Sequence, residues 1–308
     1  GPSTLTAGTP FDITVNLVDK YHNVKPGVDT DVKLTADKGY AVIPSSQPLV
    51  NGTTAFNLIL KQATTTVITA QTRAGAPFFP SDITPDLTVI PNVPDKLLVI
   101  VPGETRDPGD EVDGKTDDAP SNRVAGVEFD IEVFITDEYF NVTDSTEPRV
   151  SITLEDNNST PPDDRRLISG TTNFPITFKT DTSGVNGWTI TAENTAGIYS
   201  PYTSPELTVN PDNASQLLVI LPGEVHERGT DDGKDSSGVI TQTAGEDFTI
   251  TVLGVDDNWN IDTDAVDVIP ERLGSLEDTR ALLESAVVGK VLQLCLERVP
   301  GVTEVQRV

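Results

Sequence analysis

The chain has 308 residues, room for two or three domains, and its 48 acidic against 21 basic residues give a net charge of −27. A surface so acidic repels phosphate backbones, which argues against nucleic acid as a partner. One cysteine, Cys295, rules out an internal disulfide, and no apolar run reaches membrane-spanning length. Up to Val266 there are 16 basic and 41 acidic residues, and after it only 5 and 7, so the acidity belongs to the first part of the chain. Cysteine scarcity fits secreted bacterial proteins as well as cytosolic ones and does not fix the compartment. There is no methionine, even at position 1, as expected of a fragment, a processed product or a trimmed chain, so the lack of a signal-peptide pattern in these residues says little about a leader.

One segment occurs three times: AGTPFDITVNLVDKYHNV at Ala7–Val24, AGVEFDIEVFITDEYFNV at Ala125–Val142 and AGEDFTITVLGVDDNWNI at Ala244–Ile261. The starting points are 118 and 119 residues apart, the length of a domain rather than of a solenoid repeat. In the second copy Phe129, Ile131, Val133 and Ile135 alternate with Asp130, Glu132 and Thr136. Period two predicts a strand with one face in a core and the other in water. Each copy ends in Asp-x-x-x-Asn, namely Asp19/Asn23, Asp137/Asn141 and Asp256/Asn260. Such residues form turns, because their side chains bond nearby backbone and tolerate left-handed geometry.

In chain order, residues 1–92 continue with VKLTADKG, LVNGTTAFNLIL, TTTVITAQT and DLTVIPN. These are short β-branched runs punctuated by Gly, Pro, Asn and Asp, as in a β-sandwich. The second unit opens with KLLVIVPGE, and its counterpart QLLVILPGE begins at Gln216. After each PGE comes an acidic, Gly-rich connection and then the repeated strand. Predicted strands of the second unit are Lys96–Val101, Phe129–Ile135, Val150–Leu154, Leu167–Phe178, Trp188–Ala192 and Leu207–Val209. LISGTTNFPITF matches LVNGTTAFNLIL 118 residues earlier. The first unit lacks a KLLVIV strand, and the third stops matching near Val268. Linkers Pro91–Pro94 and Asn210–Asn213 are short, and proline stiffens a linker.

The repeated strand, its Asp-x-x-x-Asn turn, VKLTADKG, NGTTAFNLIL and TVITA together resemble bacterial immunoglobulin-like repeats of the invasin and intimin type, over about residues 1–266. The resemblance implies Ig-like sandwiches used as a stalk or spacer in surface adhesins and large secreted proteins, sometimes with a binding tip. It carries over no catalytic residue. The long acidic connection before the repeated strand departs from the usual compact form.

The tail differs in kind. Ser275-Leu-Glu-Asp can cap a helix, and Leu276, Leu283, Val287, Val291 and Leu294 recur at helical spacing. Pro300-Gly301 would end it, and VTEVQRV is a candidate short strand. A separate α+β module, a chimera or a shifted reading frame would each explain the break. Cys295 reads as a helix-face residue, and His22 and His226 as solvated loop residues.

Gly109–Thr116 matches G-x-x-x-x-G-K-T after a strand, but Asp110, Glu111 and Asp113 would repel phosphates and no helical period follows. It reads as a surface turn. The sequons at Asn51, Asn141, Asn157, Asn158 and Asn213 matter only in a glycosylating host. His22, Phe140 and Trp259 share one turn position, where an aromatic can stack on sugar or pack against a neighbouring domain. No carboxylate pair stands out for glycoside hydrolysis.

Calcium, if any cofactor binds, is expected in the acidic connections, with Asp107, Asp110, Glu111, Asp113, Asp231 and Asp232 as candidate ligands, because it takes six to eight oxygens. In this reading the connection lies at the pole opposite the Asp-x-x-x-Asn turn, so Asp110 and Asp113 approach Asp256 and Asp257 of the next domain, with Asp212 between. The competing expectation is a solvated acidic loop.

The sequence thus predicts an all-β chain of tandem Ig-like sandwiches with a short α+β tail: 1–92 without its first strand, 95–211 complete, 213–268 truncated and 269–308 helical. The expected role is a non-enzymatic extracellular spacer in a larger bacterial surface or secreted protein, partnered by its own neighbouring domains. The alternatives are a module binding a cell-surface protein or carbohydrate, and accessory domains of a large secreted hydrolase.

Overall fold

The computed structural model describes residues 4–28, 30–73, 77–263 and, as backbone, 302–306. Among the described residues the chain is all-β, and no helix is long and apolar enough to cross a membrane. The expected tail helix, with Cys295, lies outside them.

The second repeat has the fullest set of strands. Lys96–Ile100, Phe129–Thr136 and Thr171–Ile176 form one antiparallel sheet, with Phe129–Thr136 in the centre. Arg165–Arg166, Arg149–Leu154, Ile190–Asn194 and Tyr202–Thr203 form the other. Ile131, Val133 and Ile135 from the first sheet meet Val150, Ile152, Ile190 and Ala192 from the second in one buried core, the packing of a β-sandwich. Asp130 and Glu132 face solvent, as the alternation predicts. Phe129, at the strand's start, is half-buried against the core.

Alternation fails at the strand's far end. Phe134 and Thr136 are buried although they lie on the outer face. A second small core of Leu98, Ile100, Phe134 and Phe140 covers that face, and the Thr136 hydroxyl donates to the Lys96 carbonyl at 3.1 Å. This explains why KLLVIV is a continuous apolar run: Leu97 and Val99 enter the inner core, Leu98 and Ile100 the outer one. A strand buried on both faces has no polar side.

In the first repeat Phe11–Asn16 pairs with Thr53–Leu60, and Asp31–Ala36 with Ile68–Thr72 in the facing sheet. Among the described residues no strand lies on the other edge of Phe11–Asn16, where the second repeat has Lys96–Ile100. Its inward residues Phe11, Ile13 and Val15 are accordingly half-buried, whereas Ile131 and Val133 are fully buried. The third repeat has the first strand, Gln216–Ile220, paired with Phe248–Val255. Val302–Gln306, expected as a short strand, runs parallel to Phe248–Val255 on its other side.

Candidate functional site: the clasped repeat junctions

The Asp-x-x-x-Asn turn is built the same way three times. Asp137 Oδ1 accepts the N–H of Tyr139 at 2.9 Å and of Asn141 at 3.0 Å. Asp256 does so for Asn258 and Asn260, and Asp19 for Tyr21 and Asn23. These bonds force the fourth residue into left-handed backbone, with φ of 65° at His22, 57° at Phe140 and 65° at Trp259. A side chain there is tolerated only because the turn over-determines it.

In the second and third copies the turn also reads the repeat before it. The Asn141 side-chain N–H donates to the Lys61 carbonyl at 2.8 Å, and its Oδ1 accepts the Ala63 N–H at 2.7 Å. Asn260 makes the matching pair, to the Lys179 carbonyl at 2.9 Å and from the Asp181 N–H at 2.9 Å. The carboxylate takes the linker: Asn92 N–H donates to Asp137 at 2.8 Å, and Asp212 N–H to Asp256 at 3.0 Å. Asp137, Asn141, Asp256 and Asn260 are all buried. One turn thus joins three segments, namely its own strand, the preceding linker and the end of a strand in the preceding repeat. Sequence reasoning found the turn but not its outward bonds.

The acidic connection is a second part of the same junction. Glu104 and Lys115 form an ion pair at 2.6 Å, with side chains only 1% and 3% exposed. Glu104 also accepts the Val101 N–H at 2.9 Å. Burial pulls the Lys115 ammonium below the usual lysine range, and the adjoining Glu104 opposes that pull. Glu224 and Lys234 repeat the pair at 2.9 Å, and Glu224 accepts the Leu221 N–H at 2.8 Å. Between the paired residues the chain folds back as a hairpin over the turn. Gly109 N–H donates to the Tyr139 carbonyl at 2.8 Å, and Gly229 N–H to the Asn258 carbonyl at 2.7 Å. Both glycines have positive φ, and a Cβ would strike the preceding repeat, Tyr40 and Gln62 at Gly109 and Thr180 at Gly229. Glycine is therefore required twice over, by conformation and by close approach.

This arrangement corrects the expected geometry. The connection and the turn lie at the same pole of the sandwich, facing the preceding repeat rather than the following one. Asp107 accepts a hydrogen bond from the Tyr40 hydroxyl, and that bond is the main reason the phenol is pushed up to about 12. Glu111 pairs with Lys61 at 2.5 Å. Burial opposes ionisation of Asp110, but the N–H groups of Gly114, Asp113 and Val112 on its carboxylate hold it below the usual range. Asp113 accepts the Lys115 N–H at 3.1 Å. Asp231 offers its backbone carbonyl to the Trp259 indole at 3.3 Å, and Asp232 is exposed. Asp257 holds the Ser215 hydroxyl at 2.5 Å. Among the described residues no three His, Cys, Asp or Glu side chains are grouped to hold a metal ion. What the carboxylates of the connection after Glu104 chiefly do is accept protein hydrogen bonds.

Two further expectations change. His226 is not a solvated loop residue, since its Nε2 lies 2.6 Å from the Trp259 carbonyl. Phe140 is buried beneath Gly114, with the Lys96 ammonium 3.9 Å from its ring centre, so it offers no platform for a sugar. Its burial is within its own repeat rather than against a neighbour.

No protein-family model and no curated protein matches the chain. Similar solved structures include the D0–D1 domain of intimin, 12% identical over 67% of this chain and 94% of that one, with a TM-score of 0.25. Another is the Escherichia coli adhesin FdeC, 10% identical over 68% of this chain and 62% of that one, with a TM-score of 0.29. A third is a β-glucuronidase of Bacteroides uniformis, 10% identical over 58% of this chain but 22% of the enzyme, with a TM-score of 0.26. The all-β architecture rests on the strands and cores described above, not on these superpositions.

Proposed function

We propose that the chain is a stiff spacer: tandem Ig-like sandwiches, 1–92, 95–211 and 213–268, within a larger bacterial surface or secreted protein, with 269–308 as a separate tail. The observation that carries this reading is the repeated clasp. Asn141 and Asn260 bond the preceding repeat through the same two backbone groups, and Asp137 and Asp256 fix the intervening linker. A junction made twice with the same bonds repeats one orientation, and repeating one orientation is what a spacer needs.

The clasp also suits an exposed location. It depends on short, buried hydrogen bonds that salt screens little, and a net charge of −27 favours solubility. A catalytic role finds no support in the two histidines. His22 lies on an exposed turn, and His226 is held by a backbone carbonyl.

The test is small-angle scattering of the full chain, alone and as Asn141→Ala. A rod-like distance distribution that shortens or broadens in the variant supports the spacer. A compact distribution for the unaltered chain overturns it.

A further inference from the structure

The two junctions share one clasp but differ in the residues around it. Their positions match by contact as well as by sequence. A Cβ on Gly109 would strike Tyr40 and Gln62, and one on Gly229 would strike Asn158 and Thr180. Asn141 accepts the Ala63 N–H, and Asn260 the Asp181 N–H. On the hairpin, Asp107 N–H donates to the Gly114 carbonyl and Glu227 N–H to the Gly233 carbonyl. Tyr40 and Asn158, Ala63 and Asp181, and Pro108 and Arg228 therefore occupy equivalent places.

In the first junction the preceding repeat supplies the donors and the hairpin the carboxylates. The Tyr40 hydroxyl donates to Asp107, and Lys61 pairs with Glu111 at 2.5 Å. In the second junction the ion pair runs the other way. The preceding repeat supplies the carboxylate, Asp181, and the hairpin supplies the cation, Arg228, at 2.8 Å. The Asp181 side chain is only 2% exposed. Its second oxygen accepts the Ser183 hydroxyl at 2.6 Å. A carboxylate buried so deeply depends on its cation, because removing one partner leaves the other charge buried alone. The hairpin is held beside it by backbone too, since the Arg228 carbonyl accepts from the Asn158 side chain at 3.2 Å. At the equivalent places the first junction has Ala63 and Pro108, neither of them charged. Lysine recurs at 61 and 179, so it does not tell the two faces apart.

We propose that Asp181 selects the neighbour of the second repeat. With Asn158 and Thr180 it forms a surface that accepts only a hairpin carrying a guanidinium directly before its buried glycine. The third repeat's hairpin is that partner, with Arg228 before Gly229. The second repeat's own hairpin is refused, because Pro108 before Gly109 would leave Asp181 buried without a cation. Specificity of this kind comes from a group left unpaired in the wrong complex, not from extra bonds in the right one. The shared clasp alone would let a second repeat stack on another second repeat, from the same or a different chain. Asp181 forbids that and fixes the order of second repeat, then third. The inference does not rest on the chain being a spacer, since it concerns which faces pair and not what the array is for.

The test follows amide exchange in the full chain, corrected for intrinsic rates, at the residue-181 N–H held by Asn260 and the residue-63 N–H held by Asn141. Arg228→Pro, which installs the second repeat's residue, and Arg228→Gln should each speed exchange at residue 181 by about tenfold or more. Adding Asp181→Ala to either should return it close to the unaltered rate. The reciprocal change carries the rule to the first junction. Ala63→Asp should speed exchange at residue 63, and adding Pro108→Arg should slow it again. In Arg228→Gln the Glu227 N–H, bonded within the hairpin to Gly233, should exchange as before. Faster exchange there would place the effect in the hairpin's own fold and count against selection. Unchanged exchange at residue 181 in both Arg228 variants, or a loss that Asp181→Ala does not relieve, would overturn the proposal. So would an Ala63→Asp change that is harmless alone, or one that Pro108→Arg leaves unrelieved.

Discussion

Asn141 and Lys61 belong to different repeats, 80 residues apart in sequence, yet the Asn141 amide donates to the Lys61 carbonyl at 2.8 Å with Asn141 fully buried. Its carbonyl oxygen takes the Ala63 N–H two residues on. Truncating Asn141 to alanine would leave both backbone groups without that partner. Each buried unsatisfied polar group costs about 1–3 kcal/mol, so Asn141→Ala should lower the denaturant midpoint of the full chain clearly. Asn141→Asp keeps an acceptor for Ala63 but loses the donor and sets a second carboxylate against Asp137, so it should be at least as damaging. Asn23→Ala is the internal control. Asn23 is exposed and, among the described residues, bonds Asp19 of its own turn, so its loss should be much milder. Equal effects at Asn23 and Asn141 would show that the bonds across the junction add nothing.

The Glu104–Lys115 pair gives a second expectation. Breaking a buried pair by removing one partner typically costs about 3–5 kcal/mol, because the other charge stays buried alone. Lys115→Met should therefore destabilise strongly, and the double change with Glu104→Gln should recover part of the loss. Lys234→Met should cost less, because Lys234 is 26% exposed and water can solvate what remains. Chemical denaturation of the unaltered chain, Lys115→Met, Glu104→Gln and the double variant gives the cycle. A double variant no better than Lys115→Met would mean that packing, not charge, sets the cost.

Register in the central strand is tested by neighbours that face opposite ways. Ile131 is fully buried, and Ile131→Ala should cost about 2–5 kcal/mol. Asp130 is exposed, and Asp130→Ala should stay within about 0.5 kcal/mol. Phe129→Ala should fall below the usual cost of a fully buried phenylalanine, since this ring is only half-buried. Urea midpoints that rank Asp130→Ala with Ile131→Ala would contradict the register.

Much of this was legible before any coordinates. Alternation from Phe129 to Ile135 identifies the strand and its inward face, because a core accepts every second side chain. The unbroken apolar run of Lys96–Val101 signals a strand covered on both sides, although nothing in it says what forms the second cover. The cover is the acidic connection, which the sequence presents as solvated because its carboxylates outnumber its cations. The missed signal is the lone lysine in each connection, 11 residues after Glu104 and 10 after Glu224. The junction was half-legible. Turn chemistry alone permits Asp, Asn, Ser or Gly at its ends, yet Asp and Asn recur in all three copies while the left-handed position varies among His, Phe and Trp. That asymmetry points to a duty beyond the turn, but the backbone groups of Lys61 and Ala63 that it serves have no side-chain signature. The pole was misjudged because strand order alone does not say which way a long connection folds back.

The last expectation concerns acid. Glu224 in the third repeat is held down to about 2, first by the Leu221 N–H and then by Lys234 and Ser236, which outweigh the opposing effect of burial. Its folded-state value thus lies below the ordinary glutamate value of 4.5. A carboxylate depressed by folding contributes stability that is present above its unfolded pKa and is lost as pH falls through the folded one. For Glu224 the window runs from about 4.5 down to about 2. Across it the hairpin Val225–His226 with Lys234–Asp235, which Glu224 ties to the end of the first strand, should loosen. Amide exchange at Leu221 and Lys234, followed between pH 5 and pH 2.5 and corrected for intrinsic rates, should show protection falling with pH. Glu224→Gln keeps an acceptor for the Leu221 N–H but removes the charge, so its protection should start lower and change little over the same range. If the unaltered chain and Glu224→Gln lose protection in parallel, the acid sensitivity belongs to other carboxylates and the ion pair does not set the hairpin's stability.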